Sequence, residues 1–264
     1  MKKYFVIGNP IEHSLSPKLH NYWLNQNKIE AIYDKKLITR NDLEGICNEI
    51  RKDNINGLNV TVPFKKEIIP FLDQLSKEAE ETQSVNTVYM KNNKIIGHNT
   101  DIEGFELNIK KTKFNATGKK IFIIGAGGVV PSLIFALKKM KVSNIIISNR
   151  TKQNAENLKN LFEDLTIVDW GMVPDFDMVI NATSIGLNED DSMNIDFSKI
   201  DNNKFFYDVI YNPKSTKFLS NAKKLGHEIE NGKMMFIYQA CAAFEKWHNI
   251  RPQIDVKTIE LVDK

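Results

Sequence analysis

Apolar and polar positions follow one another along the chain in short blocks, some with the two-residue period of a strand and others with the 3.6-residue period of a helix. Tyr4–Ile7 is a short apolar run closed by Gly8-Asn9-Pro10, a turn. Ser16-Pro17 predicts a helix start, with Ser16 at the N-cap and Pro17 at the first helical position. Asn59–Val62 reads as a strand stopped by Pro63, with a helix expected from Lys65 onward. A polar helical link over Ile102–Lys111 leads to Gly118-Lys119-Lys120 and a new apolar strand, Ile121–Ile124. A Gly-rich turn follows, then a helix to about Met140, a strand at Asn144–Ser148 and a helix at Lys152–Phe162. Further short strands are expected near Thr166–Val168, Asp177–Ile180 and Phe205–Val209. Met234–Trp247 is apolar nearly all round and long enough for a buried helix. This alternation predicts an α/β protein of two domains: an N-terminal α/β domain over 1–101 and a doubly wound parallel sheet over 102–234.

Composition changes this picture little. The 264 residues are 42% hydrophobic and 26% charged, as in ordinary globular proteins, and show no internal repeat. Lys and Arg number 36 against 33 Asp and Glu, and a net charge of +3 implies no nucleic-acid or membrane partner. Cys47 and Cys241, far apart and in apolar surroundings, read as reduced core thiols. The apolar run after Met1-Lys2-Lys3 is too short for a signal peptide, and the longest apolar stretch, Ile121–Leu137, is broken by Gly125, Gly127, Gly128 and Pro131. A cytoplasmic protein is expected. His13, His20, His98, His227 and His248 have no zinc-ligand spacing, so no metal is expected.

Gly125-Ala126-Gly127-Gly128-Val129 lies directly after one apolar strand and directly before an apolar helix, the context a dinucleotide needs. A tight turn at Gly125 reverses the chain, Gly127 leaves room for a pyrophosphate, and the helix N-terminus faces the anion. The third fingerprint glycine is replaced by Val130. The next strand ends Ser148-Asn149-Arg150-Thr151, without the acidic residue that holds the ribose hydroxyl of NAD. Arg150 and the Thr151 hydroxyl suit a 2′-phosphate, which favours NADP; the plainer reading of Asn149–Thr151 is a cap for the helix that follows.

Further polar clusters are hard to explain as packing. Strand alternation puts Asn59 and Thr61 on one face, and Pro63 leaves Lys65 at the strand's end beside them. Ser14 and Ser16 precede a helix, Asn86-Thr87 and His98-Asn99-Thr100-Asp101 close short apolar runs, and Gln239 interrupts an apolar helix. Each has a structural alternative: Ser16 as an N-cap, Lys65 as a surface lysine, Gln239 bonded to backbone. As a set, many uncharged donors and acceptors with one Lys and one Asp suit a polyhydroxylated acid.

Ser-Leu-Ser-Pro, Asn-Val-Thr-Val-Pro-Phe-Lys, Val-Asn-Thr, Asn-Thr-Asp, Gly-Ala-Gly-Gly, Asn-Arg-Thr, Asn-Ala-Thr-Ser-Ile-Gly and Asp-Val-Ile-Tyr-Asn-Pro occur in this order from Gly8 to Trp247. In that order they resemble the shikimate dehydrogenases. The resemblance implies NADPH-dependent reduction of 3-dehydroshikimate to shikimate, on the route to chorismate and the aromatic amino acids, by a monomer or homodimer. It also implies that residues 235–264 return to the first domain. It marks Lys65 and Asp101 as catalytic, and Ser14, Ser16, Asn59, Thr61, Asn86, Asp101, Tyr211 and Gln239 as shikimate-binding. Residues 125–129 match the pyrophosphate loop, Asn149, Arg150 and Thr151 the adenosine-phosphate grip, and Val209 and Gly232 the nicotinamide end.

Three departures are visible. Asn154 stands where many relatives carry a basic residue, Pro131 where many have Ser or Arg, and Met234 where a glycine is frequent. Two rivals remain: an NAD-using quinate/shikimate dehydrogenase, disfavoured by Arg150 and Ser16, and a catalytically silent relative, which would be expected to lose Lys65 or Asp101.

Overall fold

The β-branched and aromatic run at the N-terminus forms the strand that organises the first sheet. The computed structural model describes residues 1–188 and 190–263. Its elements are β1 (Lys2–Gly8), α1 (Ser16–Gln26), β2 (Ala31–Leu37), α2 (Leu43–Arg51), β3 (Gly57–Val60), β4 (Gln74–Leu75), α3 (Lys77–Thr82), β5 (Thr87–Lys91), β6 (Lys94–His98) and α4 (Asp101–Lys111). There follow β7 (Lys120–Ile124), α5 (Val130–Lys139), β8 (Asn144–Ser148), α6 (Lys152–Leu161), β9 (Leu165–Ile167), β10 (Met178–Asn181), β11 (Phe205–Asp208), α7 (Lys217–Lys224), β12 (Glu228–Asn231), α8 (Lys233–His248) and α9 (Val256–Glu260). Two units result, one of Met1–Gly104 with Ile237–Val262, the other of Phe105–Phe236 with Asp263. The division falls inside α4 and α8.

In the first unit a mixed sheet runs in the order β2-β1-β3-β5-β6-β4. Helix α2 buries Leu43, Ile46, Cys47 and Ile50, one helical face, and these join Ile7, Leu58, Val88 and Ile95 in one core. Strand β2 forms one edge of this sheet and is mostly exposed; only Tyr33 is buried. Its main chain is held by a side chain: Asn21 Nδ2 donates to the Tyr33 carbonyl at 2.7 Å, and the Tyr33 N–H donates to Asn21 Oδ1 at 3.0 Å. The next outward amide, that of Lys35, donates to the Asp34 carboxylate at 2.8 Å.

In the second unit six parallel strands run β12-β11-β10-β7-β8-β9, the doubly wound order whose direction reverses between β7 and β10. Phe122, Ile124, Val179, Phe206 and Leu219 pack in one core cluster. The predicted α/β class and parallel sheet are as observed.

Three expectations fail locally. No helix begins at Lys65: the chain makes turns and a single 3₁₀ turn at Ile69–Phe71. Pro70 lacks an N–H, and the Lys65 carbonyl accepts from the Val85 N–H at 2.8 Å instead of from a helical neighbour. Strand β3 ends at Val60, not Val62, whose side of the chain is 51% exposed. Ser16 is not the N-cap of α1: Leu15 takes that position, no side chain caps the helix, and Pro17 sits in its first turn. Strand β12 has the sequence Glu-Ile-Glu-Asn, too polar to stand out beforehand. Cys47 and Cys241 are buried free thiols.

Candidate active site

The first unit gathers a lysine, a carboxylate and a set of amides and hydroxyls into one buried network. Lys65 Nζ donates to Asp101 Oδ2 at 2.6 Å, and the two side chains are 13% and 9% exposed. Asp101 opens α4, and its other oxygen accepts from Asn86 Nδ2 at 2.8 Å. Asn86 is held in turn: its Oδ1 accepts the Thr100 N–H at 2.8 Å, and its Nδ2 lies 2.9 Å from Thr100 Oγ1 and 3.4 Å from Gln239 Oε1. Both carboxylate oxygens therefore have donors, which offsets the cost of burying the charge pair. The arrangement presents a fixed ammonium largely shielded from water, where it would act strongly on negative charge forming on a substrate oxygen.

The neighbouring polar groups join the same network. Antiparallel pairing sets Asn59 of β3 opposite Thr87 of β5. Asn59 Nδ2 donates to the Asn86 carbonyl at 3.0 Å and to Thr87 Oγ1 at 3.2 Å, while Asn59 Oδ1 accepts from the Tyr33 hydroxyl at 2.7 Å. The Ser16 hydroxyl lies beside the Tyr33 phenol, and Ser14 Oγ accepts the Ser16 N–H at 3.4 Å. Thr61 stands beside Gly8, where a side chain on the glycine would strike the Thr61 methyl at 2.5 Å. Of the sequence-marked residues, Asn59, Lys65, Asn86, Asp101 and Gln239 are thus linked, Ser14 and Ser16 are bonded to each other beside Tyr33, and Thr61 follows Asn59 on the same segment. Tyr211 belongs to the second unit, where it stacks on Phe236 at 4.6 Å and burial pushes its phenol up to about 12.

The glycine-rich turn of the second unit separates glycines that the fold needs from glycines that it does not. Gly125 has a φ of +115°, and a Cβ there would lie 2.8 Å from the Ala182 carbonyl oxygen. This contact joins the ends of β7 and β10, the point where the strand order reverses and where dinucleotides bind in sheets of this kind. A Cβ on Gly127 would meet only the Ala182 oxygen at 3.9 Å, and one on Gly128 would meet nothing within 4 Å. Both are exposed at the start of α5 and have no packing reason to be glycine. Space kept clear beside a helix N-terminus fits a pyrophosphate. Val130 is fully buried and packs where the fingerprint's third glycine would stand. After β8, Arg150 and Thr151 are exposed and Arg150 forms no ion pair among the described residues. Thr151 takes the N-cap position of α6 without a side-chain capping bond, and Asn149 Nδ2 donates to the Thr151 carbonyl at 2.7 Å. The capping explanation thus leaves the Thr151 hydroxyl and the Arg150 guanidinium without a structural task. Gly232 is required by backbone: a Cβ there would lie 2.1 Å from the Val209 carbonyl oxygen.

Two contributors had no role in the sequence reading. Tyr33 lies in a strand of otherwise exposed residues and carries no motif. Asp208, quoted only within a motif, accepts from Asn181 Nδ2 at 3.1 Å, the Ile210 N–H at 3.0 Å and the Thr216 hydroxyl at 2.7 Å. Burial outweighs these bonds and pushes its carboxyl up to about 6. Asn181 Oδ1 also accepts from Thr183 N and Oγ1, so Asp208 orders the loop that touches Gly125. Among the described residues no group of His, Cys, Asp and Glu is placed to hold a metal, and no helix is long and apolar enough to cross a membrane.

Comparison with known proteins gives concordant matches. Residues 6–88 match the family model for the shikimate dehydrogenase substrate binding domain, and residues 107–214 that for shikimate / quinate 5-dehydrogenase. A relative named shikimate dehydrogenase (NADP(+)), from Pelagibacter ubique, is 60% identical over 264 residues, covering 100% of both chains. The crystal structure of shikimate dehydrogenase from Aquifex aeolicus superposes with a TM-score of 0.91 at 33% identity, over 99% of this chain and 97% of that one. The Thermus thermophilus enzyme in complex with NADP(H) and shikimate gives 0.89 at 30% identity, over 99% and 98%.

Proposed function

The chain belongs to the shikimate dehydrogenase family, and from that premise we propose that it reduces 3-dehydroshikimate reversibly to shikimate with NADPH. The observation that carries the reading is the buried Lys65–Asp101 pair at 2.6 Å, set among uncharged hydrogen-bonding groups. When bound, NADPH would supply a hydride to the carbon of the ring ketone. Lys65 stabilises the charge that develops on the ketone oxygen, which takes a proton from the Lys65 ammonium or from water to become the alcohol, and Asp101 keeps the ammonium in place and accepts a substrate hydroxyl. Ser14, Ser16, Asn59, Thr61, Asn86, Tyr211 and Gln239 bind the acid and its hydroxyls. The first unit is the substrate domain and the second the cofactor domain. Gly125, Ala126, Gly127, Gly128 and Val129 surround the pyrophosphate, Asn149, Arg150 and Thr151 the 2′-phosphate end, and Val209 and Gly232 the nicotinamide end. The enzyme works in the cytoplasm, on the route to the aromatic amino acids.

Initial rates with shikimate or quinate, each against NADP or NAD, test the proposal in one set of assays. Shikimate with NADP is expected to give the highest kcat/KM of the four pairs. Higher efficiency with quinate, or with NAD, would assign the chain to the quinate-using, NAD-linked branch instead.

A further inference from the structure

Tyr33 is the one buried residue of an otherwise exposed edge strand. Its ring is 3% exposed and stacks on His20 at 4.2 Å with an interplanar angle of 7°. Its main chain is clamped on both sides of the residue by Asn21. Ring and backbone are thereby fixed, and the hydroxyl has a fixed position between α1 and β3. There it donates to Asn59, one of the groups assigned to substrate, at 2.7 Å.

The direction of the hydrogen bonds follows from Asn59. Both hydrogens of its Nδ2 are committed, one to the Asn86 carbonyl and one to Thr87 Oγ1. Reversing the amide would set its oxygen against the Asn86 carbonyl, two acceptors face to face, so Oδ1 must point to Tyr33. Tyr33 must then donate to it. The bond therefore runs one way, from Tyr33 to Asn59. It leaves Asn59 able to receive a substrate hydroxyl through its second lone pair but unable to donate to one.

We infer that Tyr33 is a positioning residue for substrate recognition, its hydroxyl fixing the Asn59 amide so that the free lone pair of Asn59 Oδ1 is held for a substrate hydroxyl. The inference rests on the substrate reading given above. Tyr33 touches no reacting atom, and its influence passes through Asn59.

Tyr33→Phe removes the hydroxyl and keeps the ring on His20. Its shikimate KM is expected to rise by about 5- to 20-fold, the usual consequence of leaving buried hydrogen-bonding partners short. The NADP KM should stay within twofold and kcat within threefold, with the melting temperature reported alongside. Because Tyr33 acts through Asn59, the change should be smaller when Tyr33→Phe is made in an Asn59→Ala background than when made alone. A shikimate KM within twofold of the parent overturns the inference. So does a parallel rise in both KM values, which marks a general structural defect, or full multiplicativity with Asn59→Ala. Turnover of shikimate by the unmodified enzyme tests the substrate reading; the ratio of variant to parent tests Tyr33.

Discussion

At the scale of single residues, the same side chain can be read as surface, structure or chemistry, and its partners decide. Lys65 is a buried ammonium whose partner, Asp101, is itself held by Asn86. Its assigned task concerns charge that appears only during hydride transfer, so Lys65→Ala should lower kcat by roughly 10² or more and leave shikimate binding measurable by calorimetry. An unchanged kcat would remove Lys65 from the reaction. Arg150 is the opposite case, an exposed guanidinium that forms no ion pair among the described residues. If it grips the 2′-phosphate, Arg150→Ala should cost about 1.5–3 kcal/mol in NADP binding, a rise of at least tenfold in KM, and hardly change the KM for NAD. Equal effects on both cofactors would make it structural. Lys65, Asp101 and Arg150, the residues proposed for chemistry, stand out in the sequence because each lies in a short motif just after a recognisable strand. Tyr33 does not: its neighbours Asp34, Lys35 and Lys36 give the strand an exposed, polar character, and its partners lie far away along the chain.

At the scale of elements, the β7–turn–α5 unit shows how a glycine's reason can be separated from its presence. Gly125 is demanded by its positive φ and by the Ala182 carbonyl, whereas Gly127 and Gly128 face open space. Gly125→Ala should therefore destabilise the protein by about 1–3 kcal/mol, seen as a lowered melting temperature. Gly127→Ala should leave melting nearly unchanged and raise the KM for NADP by about tenfold or more, since its methyl would enter the space proposed for the pyrophosphate. An unaltered NADP KM in Gly127→Ala would show that the turn does not meet the cofactor there. The strands and helices of this unit could be read from sequence because apolar blocks alternate cleanly with periodic ones. Elements that depend on distant partners could not. The segment after Lys65 reads as helix until the Val85 N–H claims the Lys65 carbonyl.

At the scale of the whole molecule, buried titratable groups give the two units opposite responses to acid. In the first, burial holds the imidazoles of His20, His98 and His248 down to about 3, 4 and 4, against 6.5 for an exposed histidine. The unfolded chain takes up protons that the folded unit refuses, so their stabilisation is complete above pH 6.5 and is lost as the pH falls toward 4. In the second, the Asp208 carboxyl is raised from 3.8 to about 6, so the folded form keeps a proton the unfolded chain has released. Its contribution is complete below pH 3.8 and disappears as the pH rises through about 6. It opposes the downward shift of the His227 imidazole in the same unit. Hydrogen exchange at pH 7 and pH 4.5 should show amides of β1, β3 and β5 losing more protection than those of β7, β10 and β11. Equal losses, or the reverse order, would contradict this. The clamp on Tyr33 also bears on how separate molecules treat one another. An exposed edge strand is ordinarily a template on which another chain can lay a strand and start an aggregate. On β2 the outward main-chain groups of Tyr33 are already bonded by Asn21, and the outward amide of Lys35 by Asp34, with lysines on either side. Asn21→Ala would uncover that template, and light scattering from concentrated solutions should then grow over hours while the parent protein stays clear.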